Sequence, residues 1–202
     1  MAAPCTLYLK LEGRVTDLTA KFMADQLAAE IANPTSFTPD LDCLAAFRLL
    51  VHAEVEEFLE EKAKENLHKI GLACKAAGYD LWSKSEFFAL ALILGYRLDI
   101  TTPFSRSDFL SQIAALLKTA GEWIGNNNGI KASSFYQLSI FAGKTAEELD
   151  SSLAATLTSY GKNRGDVAHK SITRVANLQA PSTEKKAAID ILVGLRTFFY
   201  GP

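Results

Sequence analysis

Between Pro39 and Gly78 no proline interrupts the chain, and Gly71 is the sole glycine. The segment that follows Thr38-Pro39-Asp40 can therefore propagate as one helix to about Ala76, yielding near Gly71. Thr38 can accept the free amides of a first turn, Pro39 is tolerated at the first helical position, and Asp40 suits the positive end of the helix dipole. Within this helix Leu44, Phe47, Val51, Val55 and Phe58 recur every three to four residues, which places them on one stripe. That stripe is core, and it commits the chain to packing helix against helix.

Five further helices are expected at about 14–32, 82–97, 106–124, 133–142 and 183–199, the last opened by Pro181-Ser182 and carrying Ile189, Leu192, Leu195 and Phe199. Another starts at Thr145-Ala146-Glu147-Glu148, a capping-box pattern in which Thr145 and Glu148 satisfy each other's backbone donors. Leu149, Leu153, Leu157 (or Thr156) and Tyr160 then continue at helical spacing. Only TLYLKL, residues 6–11, alternates like a strand, and six isolated residues make at most an edge contact. The fold class is all-α, an up-and-down helical bundle with additional helices. At 202 residues and 49% hydrophobic the chain can bury one substantial core, so a single domain over 1–202 is expected, with a core of about 39–199 and the 14–32 helix packed on it.

The first residues, MAAPCTLYLKLEGR, do not resemble a secretory signal. The longest strongly apolar run, FFALALIL (residues 87–94), is far short of the ~20 residues that cross a bilayer. A cytoplasmic protein with no membrane partner is expected. Cys5, Cys43 and Cys74 are odd in number and scattered, without the pairings that build zinc sites or disulfides. They read as small reduced side chains, and the sequence calls for no cofactor and no metal. A formal net charge of −2 argues against a protein that coats nucleic acid, which usually carries a basic stripe over a whole face. Any RNA contact must be local.

Two polar constellations stand out. In FRLLVHAEVEEFLEE, Arg48, His52 and Glu56 follow at four-residue spacing beside the apolar stripe, with Glu54 as neighbour. A ladder of this kind is commonly a solvated or ion-paired face. In NRGDVAHKS, Arg164 precedes His169, one of three histidines. Composition alone yields about 0.1 such pairs at a fixed spacing, and about three times that over spacings of five to seven, so context must decide. That context is a basic patch. Lys162, Arg164, Lys170 and Arg174 stand against Asp166 alone, a local net charge of +3. Residues five apart on a helix differ by ~140° around its axis, so Arg164 and His169 would flank a groove. The bland alternative pairs Arg164 with a nearby carboxylate and leaves His169 facing water.

These segments, in this order, resemble a HEPN domain (higher eukaryotes and prokaryotes nucleotide-binding), specifically its RiboL-PSP branch. The matching pieces are LLVHAEVEEFLEE in an early helix, FYQLSIFAG followed by KTAEELDSSLAATL, the arginine and histidine of RGDVAHKS, and a proline-initiated last helix, together spanning about Pro39 to Phe199. The resemblance implies that Arg164 and His169 are the defining pair, with Glu56 as the acidic residue of the earlier helix. Gly165 stands where many members carry asparagine. Ser171 stands where a subset partnered with nucleotidyltransferase antitoxins carries tyrosine, which disfavours modification at that position.

Active members of that superfamily are metal-independent endoribonucleases, so the resemblance implies RNA as substrate, DNA excluded, and a toxin or antiviral role. The residue types suit it. RNA supplies its own 2′-hydroxyl nucleophile, and cleavage needs a base, an acid and positive charge on the phosphorane. Histidine can take either proton role near neutral pH, and arginine offers a fixed fork to phosphate oxygens. One chain carries one motif histidine, so a homodimer with both copies of Arg164 and His169 across one groove is expected, with Lys162, Lys170 and Arg174 binding RNA. A standalone nuclease also calls for an inhibitory or regulatory protein partner. The alternative class is a catalytically inactive HEPN module for dimerisation or for recognising a nucleotide or protein; a third reading is a helical scaffold with a fortuitous pair.

Overall fold

The computed structural model describes residues 3–77, 95, 106–169 and 180–201, with backbone only at 76, 77, 106, 109 and 163–169. Among these residues every regular element is helical: α1 (Thr6–Ala32), α2 (Leu41–Ala77), α3 (Arg106–Gly125), α4 (Ala132–Phe141), a 3-10 turn (Ala146–Glu148), α5 (Ser151–His169) and α6 (Pro181–Tyr200). The fold is all-α, as the apolar spacing predicts. The helix expected at 82–97 lies outside the described residues.

Several boundaries differ, each for a local reason. TLYLKL is the first turns of α1 and not an edge strand. Its Tyr8 and Leu11 continue with Val15 and Leu18 at helical spacing, and all four are buried. The cap of α2 is Asp40, not Thr38, because its Oδ1 accepts the Cys43 amide at 3.0 Å. At Thr145 the carboxylate half of the capping box forms, Glu148 Oε2 accepting the Thr145 amide at 2.8 Å. It opens only the 3-10 turn, since Leu149 is extended (φ −64, ψ 124). The long helix restarts at Asp150, whose Oδ1 accepts the Ser152 and Leu153 amides, both at 2.9 Å. Helix α2 does not yield at Gly71; a Cβ there would lie 3.3 Å from Leu117 Cδ1, so the missing side chain admits a neighbour without breaking the helix.

The chain divides into two compact units, residues 1–58, 129–135 and 150–202 in one and 59–128 with 136–149 in the other. The first holds α1, the opening half of α2, α5 and α6. Helices α1 and α6 are antiparallel: Cys5 Sγ lies 2.7 Å from the Tyr200 hydroxyl, and at the other end Ser182 Oγ donates to Glu30 at 2.7 Å. Helices α1 and α2 are also antiparallel, joined by Arg14–Glu54 at 3.0 Å and by the Asp40 amide on Gln26 at 2.8 Å. Helix α2 runs parallel to α6, with Phe58 edge-on to Phe199 at 5.6 Å, and α5 runs against both. In chain order the four go up, down, up and down.

The core of this unit is the expected α2 stripe, with Leu44, Phe47, Val51 and Val55 fully buried, against Leu153 and Leu157 of α5 and Ala188, Ile191, Leu192, Leu195 and Phe198 of α6. Each such large aliphatic or aromatic side chain contributes about 1.5–3 kcal/mol of burial. Ile189, expected in this stripe, is exposed at 44%; the buried phase of α6 runs through Ala188, one residue before it, and Ile191, two after. Helices α5 and α6 approach closely at Gly194, where a Cβ would fall 2.7 Å from Leu153 Cδ1.

In the second unit the remainder of α2 and α3 run antiparallel, with Asn127 donating to Glu60 at 3.1 Å at one level and Gly71 meeting Leu117 at the other. Leu67, Ile70 and Cys74 bury against Ile113, Leu116 and Ala120. The end of α4 is fastened by Asn66, which donates to the Phe141 carbonyl at 2.9 Å, and by Trp123 edge-on to Phe141 at 5.5 Å. Cys5, Cys43 and Cys74 are all free thiols.

Candidate functional site

The ladder Arg48, His52, Glu56 is ion-paired and sunk within the first unit, not a solvated face. Arg48 and His52 are 3% and 1% exposed. Arg48 Nε donates to Glu184 Oε2 at 3.0 Å, and a second guanidinium nitrogen bonds the other carboxylate oxygen. The guanidinium carbon lies 5.8 Å from the centre of the Tyr160 ring, close enough for a cation–π attraction. Taking both charges out of water costs several kcal/mol each, which only a two-pronged bond of this kind offsets.

One turn along α2, His52 Nδ1 stands 3.6 Å from Glu56 Oε2, and the other carboxylate oxygen of Glu56 accepts the Gly129 amide. Gly129 has φ +105, a conformation reserved in practice for glycine. Gly161 of α5 covers the imidazole; a Cβ there would lie 3.5 Å from His52 Nε2 and 3.4 Å from Ile130. Glu54, by contrast, faces α1 and pairs with the half-exposed Arg14.

The backbone of α5 is helical through His169, which puts Arg164, Asp166 and His169 on one continuous element. Their side chains lie outside the described residues, as do Lys170 and Arg174 altogether; Lys162 is exposed. In the chain Arg164 falls four, seven and eleven residues beyond the buried Tyr160, Leu157 and Leu153, and the backbone position of His169 lies ~140° from it around the axis. Because α5 opposes α2, the turn holding Arg164 continues beyond Tyr160 and Arg48, while Glu56 is engaged by His52 and Gly129.

Glu184 and Tyr160 enter this site without having been marked as functional in the sequence. A signal for Glu184 exists: it lies four, seven and eleven residues before Ala188, Ile191 and Leu195, and a carboxylate on an apolar stripe demands a cation. Tyr160 is 4% exposed and its hydroxyl has no hydrogen-bond partner among the described residues. Burial pushes its phenol well above the ordinary tyrosine value, with the Glu184 charge adding to the rise and Arg48 opposing it.

That rise has a sign for stability. Below about pH 10 the hydroxyl is protonated whether the chain is folded or not, so the associated stability is intact; it is lost as pH climbs toward the higher folded value. Tyr160→Phe should flatten this alkaline loss. It should also stabilise the protein by about 1 kcal/mol at pH 7, because an unmatched buried hydroxyl is removed. Urea midpoints at neutral pH and about pH 10.5 would check both; a clear destabilisation at neutral pH would mean that the hydroxyl is bonded.

No group of three or more His, Cys, Asp or Glu side chains among the described residues is placed to hold a metal ion. No helix among them is long and apolar enough to cross a membrane. Comparison with known proteins gives no match: no family model fits the chain, and neither a curated protein nor a solved structure is similar to it.

Proposed function

We propose that the chain is a HEPN-like, metal-independent endoribonuclease whose site is shared between two copies and built on Arg164 and His169. The observation that carries this reading is the unbroken run of α5 through His169. It supports a fixed spacing for the pair, at the end of a helix braced on Arg48, His52 and Glu184. The surrounding charge of +3 in a net-acidic chain supports a local contact with phosphates.

In the reaction, His169 takes the proton of the 2′-hydroxyl as its oxygen attacks phosphorus. The bond to the 5′-oxygen breaks, and that oxygen takes a proton from the second histidine of the dimer. Both Arg164 forks meet the charge that builds on the phosphorane. Purified protein incubated with tRNA, mRNA and rRNA in EDTA is expected to cut RNA, leaving 2′,3′-cyclic phosphate and 5′-hydroxyl ends, and to spare DNA. Loss of all activity on chelation with recovery in magnesium would contradict the mechanism.

One observation favours the second reading, a binding or dimerisation module without turnover. Glu56, the acidic residue the family pattern would place beside the arginine, is committed to Gly129 and His52. That module would dimerise through the same helices and cut no RNA under any condition.

A further inference from the structure

Asn128 and Gly129 form the one Asn-Gly step in the chain. They sit in the turn between α3 and α4, and Asn128 is exposed. The fold requires the glycine, because a φ of +105 is closed in practice to other residues. No Cβ at position 129 therefore shields the backbone nitrogen from the side chain before it. We propose that Asn128 is a site of spontaneous modification, converted through a succinimide to aspartate and isoaspartate, and that Glu56 sets the rate by holding the Gly129 amide.

The only co-reactant is water. The Gly129 nitrogen gives up its proton and attacks Asn128 Cγ, forming the bond that closes a five-membered imide. The bond from Cγ to Nδ2 breaks, and Nδ2 takes up a proton and leaves as ammonia. Water then opens the imide. Cleavage at Cγ leaves aspartate, while cleavage at the main-chain carbonyl leaves isoaspartate, with the backbone running through the former side chain. Nothing is oxidised or reduced.

Glu56 opposes the first step in two ways. Its carboxylate accepts the Gly129 N–H, so the nitrogen and its proton are held in place. A carboxylate, with an ordinary pKa of about 4, is far too weak a base to take that proton itself. It also sets a negative charge beside a nitrogen that must become negative, and like charges in contact repel. The reaction therefore waits for a local opening in which the turn leaves Glu56. Isoaspartate lengthens the backbone before Gly129, so the aged product carries the amide away from that carboxylate.

The neighbouring asparagines lack these features. Asn126 and Asn127 are each followed by asparagine, whose Cβ crowds the attacking nitrogen. The Asn127 backbone nitrogen, the nucleophile for Asn126, donates to the Ile124 carbonyl at 3.1 Å. The Asn127 side-chain amide donates to Glu60 at 3.1 Å, which fixes the group that would have to leave.

The test is a timed incubation of the full chain at mildly alkaline pH, native and in urea, followed by tryptic digestion. The peptide 119–131 carries all three asparagines, and fragmentation in the mass spectrometer reports each separately. Native protein should convert at Asn128 ahead of the other two, at least ~10-fold more slowly than in urea, about the factor that a hydrogen bond to a charged group supplies. Glu56→Ala should recover most of that difference in a folded protein. Glu56→Gln, whose side-chain oxygen still accepts the amide but carries no charge, should fall between. Equal rates in native and unfolded protein, conversion at Asn126 or Asn127 ahead of Asn128, or a folded Glu56→Ala protein that reacts no faster would each overturn the proposal. The first two comparisons use the unaltered chain, so they decide even where Glu56→Ala does not fold. None of the readouts involves RNA, and loss of the nuclease reading would leave the result standing.

Discussion

His169→Ala is expected to reduce RNA cleavage at least ~100-fold, the lower range for removing a proton-transfer group. Arg164→Ala should cost a comparable factor by removing charge from the phosphorane. Both substitutions fall in the last turns of α5, so the helical spectrum and dimer should be retained. Glu56→Ala should do less to the chemistry and more to stability, since its carboxylate caps the Gly129 amide and faces His52. His52→Ala is the internal comparison, read together with its melting temperature because the ring is buried. Initial rates on labelled RNA, with circular dichroism and sedimentation on each variant, separate these effects. If His52→Ala abolishes cleavage in a folded protein while His169→Ala retains it, the active site lies on α2.

The largest loss of stability is expected from Glu184→Ala. Removing the carboxylate takes from the buried Arg48 guanidinium the two bonds it makes to Glu184, and breaking a buried pair from one side costs about 3–5 kcal/mol. For a chain of this length that is a fall on the order of 10 °C in Tm. Arg48→Ala should behave alike. The double variant Arg48→Met with Glu184→Leu should recover most of the loss, because replacing both charges by apolar groups of similar volume is close to neutral. Urea unfolding of the two single variants and the double one checks this; a loss in the double variant equal to the sum of the two single losses would show that the two side chains do not act as a pair.

The difference between what could be read along the chain and what could not follows from how local each signal is. The α2 stripe was legible because Leu44, Phe47, Val51 and Val55 announce their common face through spacing alone, and the structure buries all four. Helix phase failed where it was short. Residues 6–11 satisfy alternation and helical spacing equally well, and only the partners of Tyr8, at Phe58, Leu192 and Tyr200, decide between them. The capping box at Thr145 was a true local signal that governs a single turn, since nothing in it reveals that Asp150 caps a second time. The pair Arg48–Glu184 joins residues 136 apart in the chain, and no spacing rule relates two such positions. Arg164 and His169 were visible for the opposite reason: they share one helix.

The pairing of α1 with α6 bears on when the protein can exist at all. Cys5 and Tyr200 meet across a sequence separation of 195, and the residues between them include the whole of the other unit. As the chain leaves a ribosome, α1 and the stripe of α2 emerge early with their apolar faces bare, and the carboxylate that neutralises Arg48 arrives only with residues 181–200. Helix α5, with Arg164 and His169 upon it, cannot be seated before then. Contacts this distant in sequence close slowly, so the first unit stays unassembled until residues 181–200 have been made.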